Sequence, residues 1–408
     1  MSRIHTAKKQ QRTTELKHIT YISTISTKKI ALALIITTAL LSLCSCTEQN
    51  THQTQDGVDT QGIFESYSDT QASQSLVEID GEQYIGNETS IDLTGKGEKS
   101  FDLISEYVQK LPLLKHLNVG ESVLTSKDYT TLCESNKNLS IVSKVSFEGI
   151  TLDLASDEID ISGTKISDKE AFKSILSYVT RSNRKIKFVM CDCGYTNEEL
   201  QGLRESFPSL DFAWRIYMGK WSLRTDDEAF SVMIYNYDYT RMTSEDISVL
   251  RYCTNMYALD LGHQAITDLS VIGELTELRV LILADNKISD VSPLANLKKL
   301  QYLELFVNKI QDISPLAACT ELVDLNFGWN RSIKDISSIY SLPKIERLWL
   351  PTTNVPASKR TEIKETFPNA KIIFEDVDSV SSGWRTHKRY YTMRAMFTNN
   401  KYNPDFVT

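Results

Sequence analysis

The sequence predicts an α/β solenoid, in which short strands stack into one parallel sheet on a concave side. Two observations in residues 256–355 indicate this fold. Apolar positions recur every 22 residues, and a nine-residue pattern that ends in Asn recurs with them at 278–286, 300–308 and 322–330. Within each unit the apolar strand residues also alternate, which directs them to one face. Because no unit can bury that face alone, the units must stack on one another.

Residues 1–46 have the features of a secretory leader. Seven Lys and Arg residues precede an apolar run of 14 residues at 30–43. This run is shorter than the roughly 20 residues of a membrane span and is typical of a signal peptide. The following Leu43-Cys44-Ser45-Cys46 resembles a bacterial lipobox, which implies lipidation of Cys46. An uncleaved signal anchor is the alternative; in both cases we expect the rest of the chain outside the cell, held at the cell membrane.

Residues 47–75 are rich in Gln, Thr, Ser and Asp, and they contain few apolar residues that could be buried. This composition predicts a flexible polar tether between the leader and the folded part of the chain.

Residues 76–216 predict a duplicated, more helical module. Sequence landmarks near residue 80 recur 68 residues later, and further landmarks recur at offsets of about 70 in the same order. Each copy is expected to open with a hairpin, followed by strands and by helices at 99–110, 169–179 and 196–206, and the later copy is expected to end in a strand at 210–216. Thr196 and Glu199 have the spacing of a capping box. We interpret the copies as longer, degenerate repeats continuous with the solenoid; a separate α/β domain with a parallel sheet is the alternative.

Residues 217–255 predict a connecting irregular repeat, with a helix at 244–252. In the regular repeats that follow, an asparagine stands at the bend where the chain leaves each strand, at Asn286, Asn308 and Asn330. The side-chain amides of these residues can satisfy backbone groups that the bend leaves unpaired. Pro293 and Pro315 suit the first turn of a short helix.

The spacing NxIxDxxPLxxL in these units resembles the internalin-type leucine-rich repeat of bacterial surface proteins. The lipobox and tether, taken with the repeats, resemble a leucine-rich-repeat lipoprotein of Gram-positive type. That resemblance implies a leucine-rich-repeat solenoid with a parallel concave sheet, which has regular repeats in its C-terminal half and degenerate helical repeats before them.

Residues 356–408 are expected to form a C-terminal cap, with a final strand at 371–374, and a basic aromatic tail. Our first interpretation is that the tail continues the cap. Docking of its basic residues against the acidic body, and contact with an anionic lipid or wall polymer, are the alternatives.

The variable strand positions predict a ligand-binding patch on the concave face, exposed to solvent. Exposed aromatic residues ringed by charged ones are typical of a protein or glycan site. The alternatives are that the tail covers them or that they are scattered surface residues. The predicted patch consists of Tyr302, Phe306, Trp329, Trp349, Glu304, Asp324 and Arg347.

Several function classes are disfavoured. The net charge of −8 disfavours nucleic acid as a partner, and it becomes more negative once the basic leader is removed. Cys253 and Cys319 occupy apolar positions of their repeats, and Cys191 and Cys193 lack a second ligand pair, so no metal is expected. No nucleophile, phosphate-binding or dinucleotide motif occurs, so we expect neither a cofactor nor catalytic residues. His263, near Asp260 and Asp285, resembles half of a catalytic dyad but lacks a nucleophile.

The sequence therefore predicts a membrane-anchored extracellular protein that binds a protein or glycan ligand through its concave face. The alternative is a structural cell-envelope protein without a specific soluble ligand.

Overall fold

The computed structural model of the chain describes residues 75–233, 240–375 and 381–407. The predicted leader, including Cys46, and residues 47–74 of the predicted tether lie outside these ranges. No helix in the described part of the chain is long and apolar enough to cross a membrane.

The N-terminal module alternates short strands with helices of about three turns. Its strands are β1 (Leu76–Ile79), β2 (Glu82–Ile85), β3 (Ser90–Asp92), β4 (His116–Thr125), β5 (Ser140–Phe147), β6 (Ile150–Asp153), β7 (Glu158–Asp160), β8 (Lys187–Val189) and β9 (Asp211–Ala213). Its helices are α1 (Phe101–Lys110), α2 (Ser126–Ser135), α3 (Lys169–Val179) and α4 (Asn197–Ser206). Strands β3 to β6 form one sheet and β7 to β9 form another.

Each copy of the duplicated module contains the hairpin that the sequence predicts. Strands β1 and β2 pair antiparallel, as do β5 and β6. The two turn residues have positive φ in both hairpins, 54° and 75° at Asp80 and Gly81 and 46° and 83° at Glu148 and Gly149. Two positive φ values define the type I′ turn, whose twist matches that of the strands it joins.

The capping box at the start of α4 is also confirmed. The Glu199 amide donates to the Thr196 hydroxyl (3.2 Å), and the Thr196 amide donates to the Glu199 carboxylate (2.8 Å). These two bonds satisfy backbone donors that the first helical turn leaves free.

The connecting segment is more regular than the sequence indicated. Strands β10 (Arg215–Met218) and β11 (Trp221–Arg224) form an antiparallel hairpin. The single strand predicted at 210–216 is therefore wrong, because β9 ends at Ala213 and the chain changes partner at the buried Trp214. The helix predicted at 244–252 is a 3₁₀ helix at Asp246–Tyr252.

The regular repeats form one seven-stranded parallel sheet whose strands follow one another in chain order, as predicted. Its strands are β12 (Ala229–Ser231), β13 (Ala258–Asp260), β14 (Val280–Ile282), β15 (Tyr302–Glu304), β16 (Asp324–Asn326), β17 (Arg347–Trp349) and β18 (Lys371–Ile373). The central leucines Leu281, Leu303 and Leu325 are fully buried in the core. The convex side carries short helical turns, among them α5 (Ser270–Gly273) and 3₁₀ helices that begin at Ser292 and Ser314 with Pro in the first turn. Helix α6 (Arg360–Thr366) follows β17.

A ladder of side-chain amides joins neighbouring repeats, in the role predicted for the three asparagines. The amide nitrogen of Asn308 donates to the carbonyls of Leu283 (2.9 Å) and Leu305 (3.0 Å), and its oxygen accepts from the Ile288 amide (3.0 Å). Asn286 and Asn330 make the equivalent bonds one repeat before and one repeat after. Each asparagine therefore satisfies three backbone groups that the bend leaves unpaired.

The module and the repeats share a core but not a sheet. One continuous cluster of buried apolar side chains extends from Ile79 to Phe367. The parallel sheet, in contrast, is interrupted by the β10–β11 hairpin between β9 and β12. The domain boundaries drawn from the sequence stay a prediction.

Candidate functional site

The predicted patch lies on adjacent strands, but most of it is not exposed to solvent. Tyr302, Glu304, Asp324, Arg347 and Trp349 are all at most 4% exposed. The solvent exposure expected for these five residues is therefore wrong. Phe306 and Trp329, the other two patch residues, are partly exposed.

Residues 384–407 of the tail cover the five buried patch residues. Trp384 is fully buried, and its ring lies 5.0 Å from that of Trp349 and 5.2 Å from that of Tyr302. The Arg347 guanidinium lies 4.6 Å from the Trp384 ring, within cation–π range. The Trp384 indole N–H donates to Glu304 (2.9 Å), so the one polar atom of this buried ring is satisfied.

Three arginines and three acidic residues hold the tail to the face. Asp324 accepts two hydrogen bonds from Arg347 (2.8 and 2.5 Å) and one from Arg389 (3.0 Å). Arg389 also donates to Glu346 (2.5 Å), and Arg385 lies 3.4 Å from Glu304. Buried charges require such pairing, because an unpaired one costs several kcal/mol (about 3–5). The bidentate Arg347–Asp324 pair joins the neighbouring strands β16 and β17, and Arg389 of the tail bonds to the same Asp324.

Helix α7 (Lys388–Asn399) crosses the first strands of the large sheet. Its Met393, Met396 and Phe397 are buried in a second apolar cluster, against Val280 and Ile282. Beyond the helix, the ring of Tyr402 packs 5.3 Å from Tyr257 and that of Phe406 lies 6.0 Å from Tyr302.

The interpretation of the tail as a continuation of the terminal cap is therefore wrong for 384–407. Strand β18 and helix α6 lie at the end of the solenoid, whereas the tail turns back across the concave face. Docking of basic residues on an acidic surface, one of the alternatives, describes what is seen.

A cavity of about 140 Å³ remains between α7 and strands β12 to β15. Its walls combine apolar groups, such as Ile282, Met393 and Phe397, with charged ones. Met233 and His263 also line it and are exposed, so the cavity communicates with solvent.

Asp260 forms part of the cavity wall. Its carboxylate is 7% exposed, accepts from the Gly262 amide (2.9 Å) and accepts from the Ser231 hydroxyl (2.8 Å). Burial raises the pKa of Asp260 to about 6, and the nearby Glu304 adds to this shift. Ion pairs to Asp260 are absent among the described residues.

The third residue after each of strands β13 to β17 has a left-handed backbone, which non-glycine residues rarely adopt. Its amide still pairs with the next repeat, as at Trp329, whose N–H donates to the Pro351 carbonyl (2.7 Å). This geometry turns the chain without breaking the ladder, and it presents a column of side chains along one edge of the face. The column is His263 (φ 61°), Asp285 (51°), Val307 (56°), Trp329 (61°) and Thr352 (55°).

Phe306 and Trp329 form an aromatic rim at this edge. Their ring centroids are 6.3 Å apart and meet edge to face at 70°. The Arg331 guanidinium lies 5.7 Å from the Trp329 ring. The aromatic rim is thus a pair of partly exposed rings in contact with each other, beside a cation.

The polar groups near His263 do not form a hydrolytic triad. Its Nδ1 lies 3.0 Å from Asp285 Oδ2, which Arg241 also contacts at 3.1 Å. The Ser231 hydroxyl donates to Asp260 rather than to His263. The described residues also contain no group of three His, Cys, Asp or Glu side chains that could hold a metal ion.

The four cysteines considered for core or metal roles are buried and unbonded to one another. Cys253 and Cys319 lie in the core, as expected, and burial raises their pKa values to about 12 and about 11. The thiol of Cys193 donates to the Ile161 carbonyl at 3.1 Å.

A comparison with known protein families identifies part of the regular repeats. Residues 276–318 match the family described as Leucine Rich repeats (2 copies). These residues are leucine-rich repeats. Such repeats generally mediate protein–protein interaction. No curated protein matches the chain.

Similar solved structures include two internalins and one further bacterial protein. An internalin from Listeria monocytogenes is 14% identical, over 74% of this chain and 87% of that one, with a TM-score of 0.26. Internalin C2 from the same organism is 26% identical, over 35% and 80%, with a TM-score of 0.24. A leucine-rich-repeat protein from Leptospira interrogans is 14% identical, over 65% and 74%, with a TM-score of 0.30.

Sequence reasoning missed Trp384, Arg385 and Arg389 as residues of the face. A signal was present, because the strands place Glu304, Asp324 and Glu346 on neighbouring positions while the tail is basic and aromatic. Complementary charge between these two segments indicates that they could bind each other.

Proposed function

We propose that this protein is an extracellular leucine-rich-repeat receptor or adhesin-like protein, anchored in the cell membrane through Cys46, that binds a protein ligand at its aromatic rim. The leader and lipobox-like sequence support the location, and the repeats support protein binding. Catalysis forms no part of this proposal, since the polar groups of the site lack a nucleophile–base contact.

The observation that carries this function is the geometry of the aromatic rim. Phe306 and Trp329 are partly exposed, in edge-to-face contact at 6.3 Å. Aromatic residues are enriched at interface hot spots because they bury a large area and lose little side-chain entropy on binding. The backbone beneath them is held by the asparagine ladder, so the rim is pre-organised for a partner.

The test is capture of a saturable protein partner by the immobilised full chain, from extracellular proteins and from purified glycans in parallel. Trp329→Ala removes half of the rim, and we expect it to weaken capture at least about tenfold, as for an interface hot spot. Trp221→Ala is the matched control, because Trp221 is also partly exposed but lies in the β10–β11 hairpin.

Equal capture by Trp329→Ala and by the wild type would remove the rim from consideration. Failure to find any saturable protein or glycan partner would favour the structural cell-envelope role instead.

A further inference from the structure

The cavity beneath α7 is built around Asp260, a buried carboxylate that has no counter-ion in the part of the chain that the structure describes. Asp260 is only 7% exposed. Its only hydrogen-bond donors among the described residues are the Gly262 amide and the Ser231 hydroxyl. Neither donor carries a charge. The other anion of the cavity wall, Glu304, is already paired with Arg385 and bonded to Trp384.

From this geometry we propose that the cavity is a binding site for a primary alkylammonium group, of the kind that a lysine side chain presents. This inference names a chemical group that the protein partner of the proposed function would present. It rests on the proposed function only for the assignment of the amine to a protein. The ammonium would lie against Asp260, and its alkyl chain would lie along the apolar wall.

The size and lining of the cavity fit such a group. A volume of about 140 Å³ is close to that of the engineered cavity of about 150 Å³ that holds benzene, a molecule of six heavy atoms. A butylammonium group has five. Ile282, Met393 and Phe397 supply apolar contacts for the four methylenes.

The charges around the cavity favour a cation at its inner end. Arg385 is neutralised by Glu304, which leaves Asp260 as the buried charge of the wall that has no partner of opposite charge among the described residues. Arg394 also lines the cavity, but it is exposed, so water and salt screen its repulsion. An ammonium ion next to Asp260 gains a charge-assisted hydrogen bond in a site where the alternative is a buried, unpaired carboxylate.

The experiment titrates the full chain with n-butylammonium while the Met393 methyl signal is followed by NMR, after assignment with Met393→Leu. We expect a saturable shift of that signal. Butan-1-ol and butyrate serve as probes of equal length, the first uncharged and the second of opposite charge. Both are expected to bind at least tenfold more weakly than butylammonium.

Asp260→Asn removes the charge, keeps one acceptor oxygen for the Gly262 amide and places an NH2 group that can donate to the Ser231 hydroxyl. We expect it to weaken butylammonium binding at least tenfold. Asp312→Asn is a matched control. Asp312 likewise accepts from the amide two residues on (2.8 Å) and from a serine hydroxyl (2.9 Å), but it is exposed. Its variant should bind as the wild type does.

Absence of saturable butylammonium binding to the wild type overturns the proposal, as does tighter binding of butyrate, which would assign the cavity to anions through Arg394. Unchanged binding in a folded Asp260→Asn variant overturns it as well. Nα-acetyl-lysine methylamide distinguishes the sources of the amine: binding equal to that of butylammonium indicates a protein side chain, and loss of binding indicates a free amine. Because no partner protein is used, this titration can succeed or fail independently of the capture experiment.

Discussion

At the scale of single residues, Trp329 and Trp349 show how the tail separates two tryptophans that the sequence treats alike. Trp329 follows strand β16 and Trp349 ends strand β17. Both were expected in one exposed patch. Trp349 is 1% exposed beneath Trp384, whereas Trp329 belongs to the partly exposed aromatic rim. One is therefore a core residue and the other a candidate contact residue.

We predict that alanine has different effects at the two positions. Trp349→Ala leaves a cavity under the tail and should lower the free energy of unfolding by about 3–5 kcal/mol. Trp329→Ala removes a partly exposed ring and should lower it by about 1 kcal/mol or less. Chemical denaturation of each variant measures the difference. Similar losses for the two variants would contradict the assignment of Trp349 to the core.

Asp260 is a second residue whose burial has a measurable consequence. Its pKa is raised from 3.8 to about 6. Between these two pH values the folded chain therefore retains a proton on Asp260 that the unfolded chain has lost. Glu304, His263, Arg385 and Arg394 line the same cavity. As the pH rises from about 4 to about 6, this one group therefore lowers the free energy of unfolding by about 3 kcal/mol.

We predict that Asp260→Asn becomes progressively more stable, relative to the wild type, as the pH rises from 4 to 7. The difference arises because the amide has no proton to lose. Denaturant midpoints of the two proteins at each pH measure it, and Asp312→Asn provides the control. A stability difference that stays constant across this range would show that Asp260 is not held protonated by burial.

At the scale of secondary-structure elements, helix α7 depends on the residues that precede it. Three of its apolar residues are buried on the sheet, but charged or polar residues make up much of its sequence. Helices of this length are marginal alone, and they are stabilised mainly by packing. Trp384, wedged between Tyr302 and Trp349, anchors the chain just before α7.

We predict that Trp384→Ala loosens α7 while the repeats remain folded. Amide hydrogen exchange in 388–399 should become faster by about tenfold or more, because local opening no longer has to expel a buried indole. Exchange in β14 to β16 at the core leucines should change less. Trp221→Ala is the control, and equal exchange in α7 of both variants would contradict an anchoring role for Trp384.

At the scale of the whole molecule, local pattern was a good guide to the repeats and a poor one to the tail. The parallel sheet, the asparagine ladder and the capping box at Thr196 each follow from residues close together in sequence. The burial of Tyr302 and Asp324 follows from Phe406 and Arg389, which are distant in sequence. Periodicity describes how a unit meets its neighbours, but it carries no information about a non-repeating segment that packs over them.

The N-terminal module illustrates the same limit in another way. Its hairpins and helices were expected from the duplication, but the interruption of the sheet was not. The β10–β11 hairpin arises because the chain leaves its parallel partner β8 after Ala213. No periodic feature of residues 210–216 predicts this change. The continuous core nevertheless joins module and repeats.

The return of the tail also has a consequence for biosynthesis. Lys401 bonds to Glu228, a residue 173 positions earlier, so a segment made well after the repeats returns to the start of the large sheet. Repeats can stack as they emerge from the ribosome, but their inner surface stays uncovered until residues 384–407 have been made. A chain terminated before Trp384 would expose Tyr302, Trp349 and their apolar neighbours together. Such a surface is a substrate for chaperones and proteases, which gives the cell a way to recognise unfinished copies.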